Sequence, residues 1–404
     1  MLIRLRTIFN AYPRQFWLLF VGLLISTIGS SMIWPFLMIY ASERLNLPLG
    51  TTTILITINS VMGLIFSFIA GPIIDRFGRK WMMALSLGVN GIGFFLMSHA
   101  NTLPAFAAIM ALQGAFNPLY RVGADAMMAD LIPADRRVDA YSLLRMSNNI
   151  GVSLGPAIGG VIATQSYNLA FYIAAVGMLT YSILVIVQAK ETLPQRDALE
   201  RKPKERFGGY DTILKDRPFM SFVGAFTLNQ LCAAIIWVLL GVYTKENYNL
   251  SESLYGLIPT TNALMVVFLQ VWVTSFVKRY KPLKALAFGA IFYAIGAGSV
   301  ALGAGFWGFW ISMVITTVGE LIMSPTASTL VANMAPADMR GRYMSLYGLT
   351  WGIAQGIGPL AGGMLSDHFG PHAIWYGAAL IGLTSVLAFS FLSRREKTPT
   401  PSAA

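Results

Sequence analysis

The chain repeats itself at one fixed offset. Trp34, Tyr40, Glu43, Asn46, Leu47 and Asn59 recur 203 residues later as Trp237, Tyr243, Glu246, Asn249, Leu250 and Asn262. Farther along, Pro133-Ala134-Asp135 recurs as Pro336-Ala337-Asp338, and Gly155-Pro156-x-x-Gly159-Gly160 as Gly358-Pro359-x-x-Gly362-Gly363. No insertion breaks the register between these points, so the chain must fold as two related halves. Two such halves packed in a membrane leave a central cleft that can open to one side or the other.

Composition supplies the membrane. Apolar residues make up 55% of the 404-residue chain and charged residues 12%, against about 25% charged in an average soluble domain. A helix needs about 20 apolar residues to cross a hydrocarbon layer of roughly 30 Å. Twelve stretches qualify, at 15–41, 52–74, 80–99, 103–129, 139–164, 168–189, 217–244, 253–277, 283–304, 307–332, 343–366 and 373–393. The expected fold is therefore all-α and integral to the membrane, with twelve transmembrane helices in two pseudo-symmetric six-helix bundles. The bundles are expected at 1–189 and 217–393, joined by a cytoplasmic linker at 190–216 and followed by a disordered tail at 394–404. The first span is long and lacks a small-residue cleavage site, so it reads as a retained helix. Part of the charged linker is expected to lie as an amphipathic helix on the membrane surface, ending at Gly208-Gly209.

The basic residues set the orientation. Of 29 Lys and Arg, 25 fall in the N-terminus, the even-to-odd loops, the linker and the C-terminus, and only Arg44 and Lys245 fall on the other side. This bias predicts cytoplasmic termini in the cell (inner) membrane. It also accounts for the net charge of +11 through anionic lipid, with no nucleic acid as partner. Cys232 is single and falls within a span, so an intrachain disulfide is excluded. His99, His368 and His372 lack metal-ligand spacing, so no metal or cofactor is expected.

Between spans 2 and 3 the chain reads Gly71-Pro-Ile-Ile-Asp75-Arg76-Phe-Gly78-Arg79-Lys80. This resembles the loop 2–3 signature of the major facilitator superfamily, and span number, repeat and linker resemble that family over the whole chain. The missing side chain of Gly71 allows close helix approach, and Gly78 permits a tight turn. The resemblance implies a latch on the cytoplasmic side, with Asp75 against span 11 and Arg79 near Asp130 at the end of span 4. Arg76 and Lys80 anchor the inside face. The second half reads Thr274-Ser-Phe-Val-Lys278-Arg279-Tyr280-Lys281 instead, so its acid and turn glycine are gone and the latch is asymmetric.

Span 5 carries Gly151-x-x-x-Gly155-Pro156-x-x-Gly159-Gly160. Glycines four apart line one helix face for close packing, expected against span 8, and Pro156 bends the helix. The string resembles the span 5 signature of drug/proton antiporters and so implies export.

Ionisable residues deep in spans are Arg121 and Asp125 in span 4, Arg145 in span 5 and Glu320 in span 10. Each costs about 2.5–3.5 kcal/mol at a helix centre on the insertion scale, and such residues by default mark an ion or substrate path. Gly319-Glu320-Leu-Ile-Met-Ser-Pro325 resembles span 10 of LmrP-type multidrug antiporters, which implies a proton-coupling role for Glu320. Asp125 either couples protons or pairs with Arg121 one turn before it. Arg145 is expected to gate, pairing with Asp125 or Asp130. Two departures from those relatives stand out. No acid lies in span 5 beyond Asp139, and Met110-x-x-Gln113-Gly114 replaces their span 4 arginine pattern.

The cleft is expected to be lined by Trp34, Asn59, Gln113, Asn117, Tyr120, Asn148, Asn149, Asn229, Gln230, Trp237, Asn262, Tyr347, Trp351 and Gln355. Amides and indoles with one acid suit bulky amphipathic cargo, and 20 Met add adaptable surface. Asn59 and Asn262, being repeat-related, also fit a structural role. The expected activity is proton-gradient-driven antiport of drugs or other amphipathic molecules by a monomer, a role that would confer antibiotic resistance. The alternatives are a metabolite, sugar or lysolipid facilitator of the same fold, and an intramembrane enzyme. The enzyme would need clustered His, Asp or Cys near one face, which the scattered histidines do not supply. ATP-driven pumping is disfavoured because the phosphate-binding loop G-x-x-x-x-G-K-[ST] is missing.

Overall fold

A computed structural model describes residues 12–133, 136–193, 210–336 and 339–395. The proposed surface helix of the linker, Gly208-Gly209, the tail beyond Arg395 and the Ala-Asp pairs at 134–135 and 337–338 lie outside the described residues. Among the described residues every long element is a helix. Span 1 is Arg14–Ile33, a 3-10 turn at Trp34–Phe36, and Leu37–Leu45. Spans 2 to 6 are Leu49–Phe77, Arg79–Met97, Leu103–Leu131, Arg137–Ala163 and Tyr167–Gln188. A short helix, Tyr210–Lys215, precedes spans 7 to 12 at Arg217–Tyr248, Glu252–Val277, Pro282–Leu302, Gly305–Met334, Arg340–Phe369 and Ala373–Arg395. Nine of the described helices are long and apolar enough to cross a membrane on composition alone. Spans 4, 5 and 11 fall outside that set although they are 29, 27 and 30 residues long.

Local chemistry marks where helices begin and end. Thr102 caps span 4 by accepting the Ala105 N–H, and Ser166 caps span 6 by accepting the Leu169 N–H. Asp216 caps span 7, its carboxylate accepting the Phe219 N–H at 3.1 Å and the Tyr343 hydroxyl at 2.7 Å. Arg137 closes the far end of span 4 by donating to the carbonyls of Ala129 and Ile132 at 2.6 and 3.0 Å. The repeat is visible in the backbone itself. Among the described residues the positive-φ non-glycine positions are Asn46 (φ 49°) and Asn249 (φ 51°), the repeat-related pair that follows spans 1 and 7. Asparagine tolerates this left-handed conformation better than most residues. Span 1 departs from span 7 where Pro35 sets up the 3-10 turn, while the matching stretch around Trp237 is continuous helix.

By contact the described residues form two units. One lies within Met1–Arg201 and includes Asn249–Ala263, and the other lies within Lys202–Tyr248 and Leu264–Ala404. In the first, span 1 packs on 5 and 6, span 3 on 4 and 6, and span 2 on 4. In the second, span 7 packs on 11 and 12 and span 9 on 10 and 12. The pairings 1 with 5, 1 with 6, 3 with 4 and 3 with 6 thus recur six spans later, as the sequence repeat requires.

Candidate functional site

At the loop 2–3 end of the first unit, Gly78 adopts φ 95° and ψ 151°, a conformation open in practice only to glycine. Span 3 starts immediately after it, and its first N–H groups have no helical acceptor. Glu191, directly after span 6, supplies one. Its carboxylate accepts the backbone N–H of Arg79 at 3.0 Å and of Lys80 at 3.1 Å, and those of Thr192 and Leu193 at 2.9 and 3.0 Å. A Cβ at position 78 would overlap that carboxylate. The Arg79 guanidinium pairs with Asp130 and donates to the Thr192 carbonyl at 2.8 Å. Gln15 ties down Lys190 through two backbone bonds of 2.8 and 3.1 Å. Arg76 and Lys80 lie over the rings of Phe77 and Trp81, and Asp75 is exposed. Nothing in its own unit approaches within 4 Å of a Cβ built on Gly71.

The span 5 glycines pack mainly on span 1. A Cβ at Gly151, Gly155 or Gly159 would run into Thr27, Ser31 or the backbone of Met32. The start of span 8 meets Gly160, which touches the Glu252 backbone, and Pro156, whose carbonyl lies on Gly256. Glycines four apart all face span 1, and position 160 is turned away from them.

Of the charged residues within spans, Arg121, Asp125 and Arg145 belong to the first unit and Glu320 to the second. Arg121, Asp125 and Arg145 are exposed on their helices. Among the described residues Arg145 forms an ion pair with neither Asp125 nor Asp130, since Arg79 holds the latter. Arg121 lies within electrostatic range of Asp125, and the Asp125 carbonyl accepts the Tyr141 hydroxyl at 3.3 Å. Glu320 is half-buried in the middle of span 10. It stands within electrostatic range of Tyr293 on span 9, which is likewise near Cys232 and Tyr347.

The proposed cleft residues divide by burial. Trp34, Asn117 and Trp351 are exposed, and Asn59, Tyr120, Asn148, Asn149, Gln230, Trp237 and Tyr347 are half-buried. Gln113, Asn229, Asn262 and Gln355 are instead buried among helices. Gln113 donates to the Asn90 carbonyl of span 3, and Asn59 to the Met110 carbonyl of span 4 at 2.9 Å. Tyr120 meets the Tyr181 hydroxyl at 3.4 Å, and Asn148 accepts from Thr27 at 3.3 Å. These bonds give the amides a helix–helix role. Asn229 is fully buried and neither of its amide atoms has a hydrogen-bond partner among the described residues, and the same holds for the Gln355 carbonyl oxygen.

The sequence reading misses three residues. Glu191 is, in sequence, one charge among many in the linker. Its position immediately after an apolar span is the available signal. Glu252 and Tyr167 meet at the loop 5–6 end of the first unit, where the Tyr167 hydroxyl donates to the Glu252 carboxylate at 2.7 Å. Eighty-five positions separate them, so no local pattern announces the pair.

Comparison with known proteins agrees with this architecture. The Major Facilitator Superfamily profile matches residues 19–232 and 222–404. The chain is 26% identical to a Na(+), Li(+), K(+)/H(+) antiporter of Planococcus maritimus, over 89% of each protein. It is 22% identical to the quinolone resistance protein NorA of Staphylococcus aureus, over 93% of this chain and 96% of NorA. The crystal structure of a point mutant of the nucleoside transporter NupG superposes with a TM-score of 0.80 at 12% identity, covering 93% of this chain and 99% of that one. The profile, spanning both halves of a chain built from repeated helical bundles, identifies a multi-pass membrane transporter, not an enzyme, that belongs to the Major Facilitator Superfamily.

Proposed function

We propose that the chain is a proton-coupled exporter of drugs or other amphipathic molecules, of the LmrP-like antiporter kind, working by alternating access as a monomer. The observation that carries this reading is Glu320, a carboxyl group half-buried midway along span 10 beside Tyr293. Burial favours the neutral form of a carboxyl and water the charged form. A cleft that opens and closes around such a group therefore loads and releases a proton. A potential of 100 mV supplies roughly 2.3 kcal/mol per inward proton, enough for about fiftyfold accumulation. No cofactor is needed beyond the proton gradient. NorA and the Planococcus antiporter, relatives over most of their length, support export and ion coupling. Loop 2–3 with Arg79, Asp130 and Glu191 would face the cytoplasm with both termini, bordered by anionic lipid, and Asp75 would close on span 11.

The Planococcus relative favours a second reading, exchange of a monovalent metal cation for protons. Reconstituted liposomes with an imposed pH gradient separate the two. Cationic dyes, sugars, lysolipids, sodium and potassium are offered in turn to the wild type and to Glu320→Gln. Dye movement that collapses in Glu320→Gln supports the exporter. Sodium or potassium movement without dye movement supports cation exchange, and pH-dependent dye transport that persists in Glu320→Gln removes Glu320 from the mechanism.

A further inference from the structure

The opposite end of the first unit from loop 2–3 holds a contact whose acid and tyrosine lie outside the family signatures. Residues 249–263 open the second span of the second repeat, yet they pack with the first unit. Glu252 is 6% exposed and accepts the Tyr167 hydroxyl at 2.7 Å. The Tyr167 ring lies 5.4 Å from that of Tyr40, and Tyr255 meets Phe36 edge-on at 5.6 Å. Gly160 and Gly256 let the two backbones touch. Tyr40, Glu43, Arg44 and Tyr167 line a cavity of about 300 Å³ beside this contact.

These contacts differ in how they respond to protons. Glycine packing and ring stacking do not change with pH. The bond to Glu252 does, because a hydrogen bond to a carboxylate is roughly twice as strong as one between neutral groups. Span 5 presents no titratable side chain to Glu252 between Pro156 and Ala163. Tyr167 faces it from span 6. The end of span 1 brings Tyr40, Glu43 and Arg44 to the neighbouring cavity, opposite charges adjacent in sequence.

We propose that Glu252 is a proton-controlled bolt on the outer face of the transporter. Ionised, it holds the start of span 8 on spans 5 and 6 through Tyr167. Protonation from outside weakens that bond and lets the start of span 8 leave its seat at Gly160 and Pro156. The bolt rests on the alternating-access reading above, since only a transporter must make and break this contact in each cycle. It adds a second protonation site, at the entrance, to the one proposed at Glu320.

The test uses the full chain in lipid nanodiscs with Cys232→Ala and spin labels at Leu169→Cys and Leu254→Cys, both exposed positions. In the wild-type background, acidification from about pH 8 to about pH 5, across the carboxylate range, is expected to raise the ratio of long to short distances roughly fivefold. Glu252→Gln should show the long population at both pH values. Tyr167→Phe, which keeps the acid and removes the donating hydroxyl, should do the same. A Glu252→Gln protein that retains the wild-type pH response overturns the bolt, as does a wild type whose distances ignore pH. Dye flux in liposomes is measured alongside. Flux that depends on Glu320 with distances indifferent to Glu252 sinks the bolt and leaves the transport reading standing. Distances that follow Glu252 without flux of any cargo overturn the transport reading and with it the bolt's place in a cycle, and leave only a proton-sensitive contact.

Discussion

The Glu191 carboxylate accepts the backbone N–H of Arg79 at 3.0 Å across 112 positions of chain. That one bond ties the start of the linker to the start of span 3 and places the Arg79 guanidinium where it pairs with Asp130. The family signature in loop 2–3 is thus completed by a residue that lies outside it.

Gly78→Ala should destabilise the protein through two separable terms. This glycine-only conformation costs about 1–3 kcal/mol for an L-residue, and the new methyl displaces the Glu191 carboxylate. In a Glu191→Ala background only the first term remains. Thermal unfolding in detergent of the four-protein cycle is expected to show a coupling of about 0.5–3 kcal/mol. Strict additivity would mean that Glu191 does not sit on Gly78.

Asn46 and Asn249 should respond alike. Replacing either with alanine should cost about 1 kcal/mol, because a Cβ is disfavoured in the left-handed region, while glycine should be close to neutral. Thermal shifts of the two alanine variants, compared side by side, check it. A cost at one position and none at the other would break the structural equivalence of the repeats.

Gly159→Leu should disrupt the first unit, since the side chain has no space before the Met32 backbone. Overpacking typically costs about 1–3 kcal/mol. Hydrogen exchange should rise in spans 1 and 5 and stay unchanged in spans 9 and 12. A uniform rise across both units would show that the effect is not local.

Asn229→Leu should stabilise the second unit or leave it unchanged. The amide is fully buried with neither atom hydrogen-bonded among the described residues, and such groups carry a desolvation penalty of about 1–3 kcal/mol. Leucine has similar volume and no polar atom. A melting temperature that falls with Asn229→Leu would mean the amide is held by a partner.

Much of the site is legible in residue order alone. The spacing of the loop 2–3 signature assigns Gly78 its turn, and Glu320 stands out because a lone acid in an apolar span is conspicuous. A helical pattern tells that Gln113, Asn229 and Gln355 are polar, not which face meets a neighbour, so their burial is not legible in it. Only packing distinguishes an amide turned inward from one turned to a cavity.

Periodicity, charge bias and the 203-residue offset, all local or repetitive properties, determined by themselves that the chain is helical, membrane-spanning and duplicated. The tertiary structure decided which distant groups meet: Glu191 with Arg79, Tyr167 with Glu252, and the span 5 glycines with span 1. The physical reason is that hydropathy acts on each span independently, whereas a hydrogen bond or a close backbone contact depends on the rotation and depth of two helices at once. Those two quantities leave no trace in the order of residues along either helix.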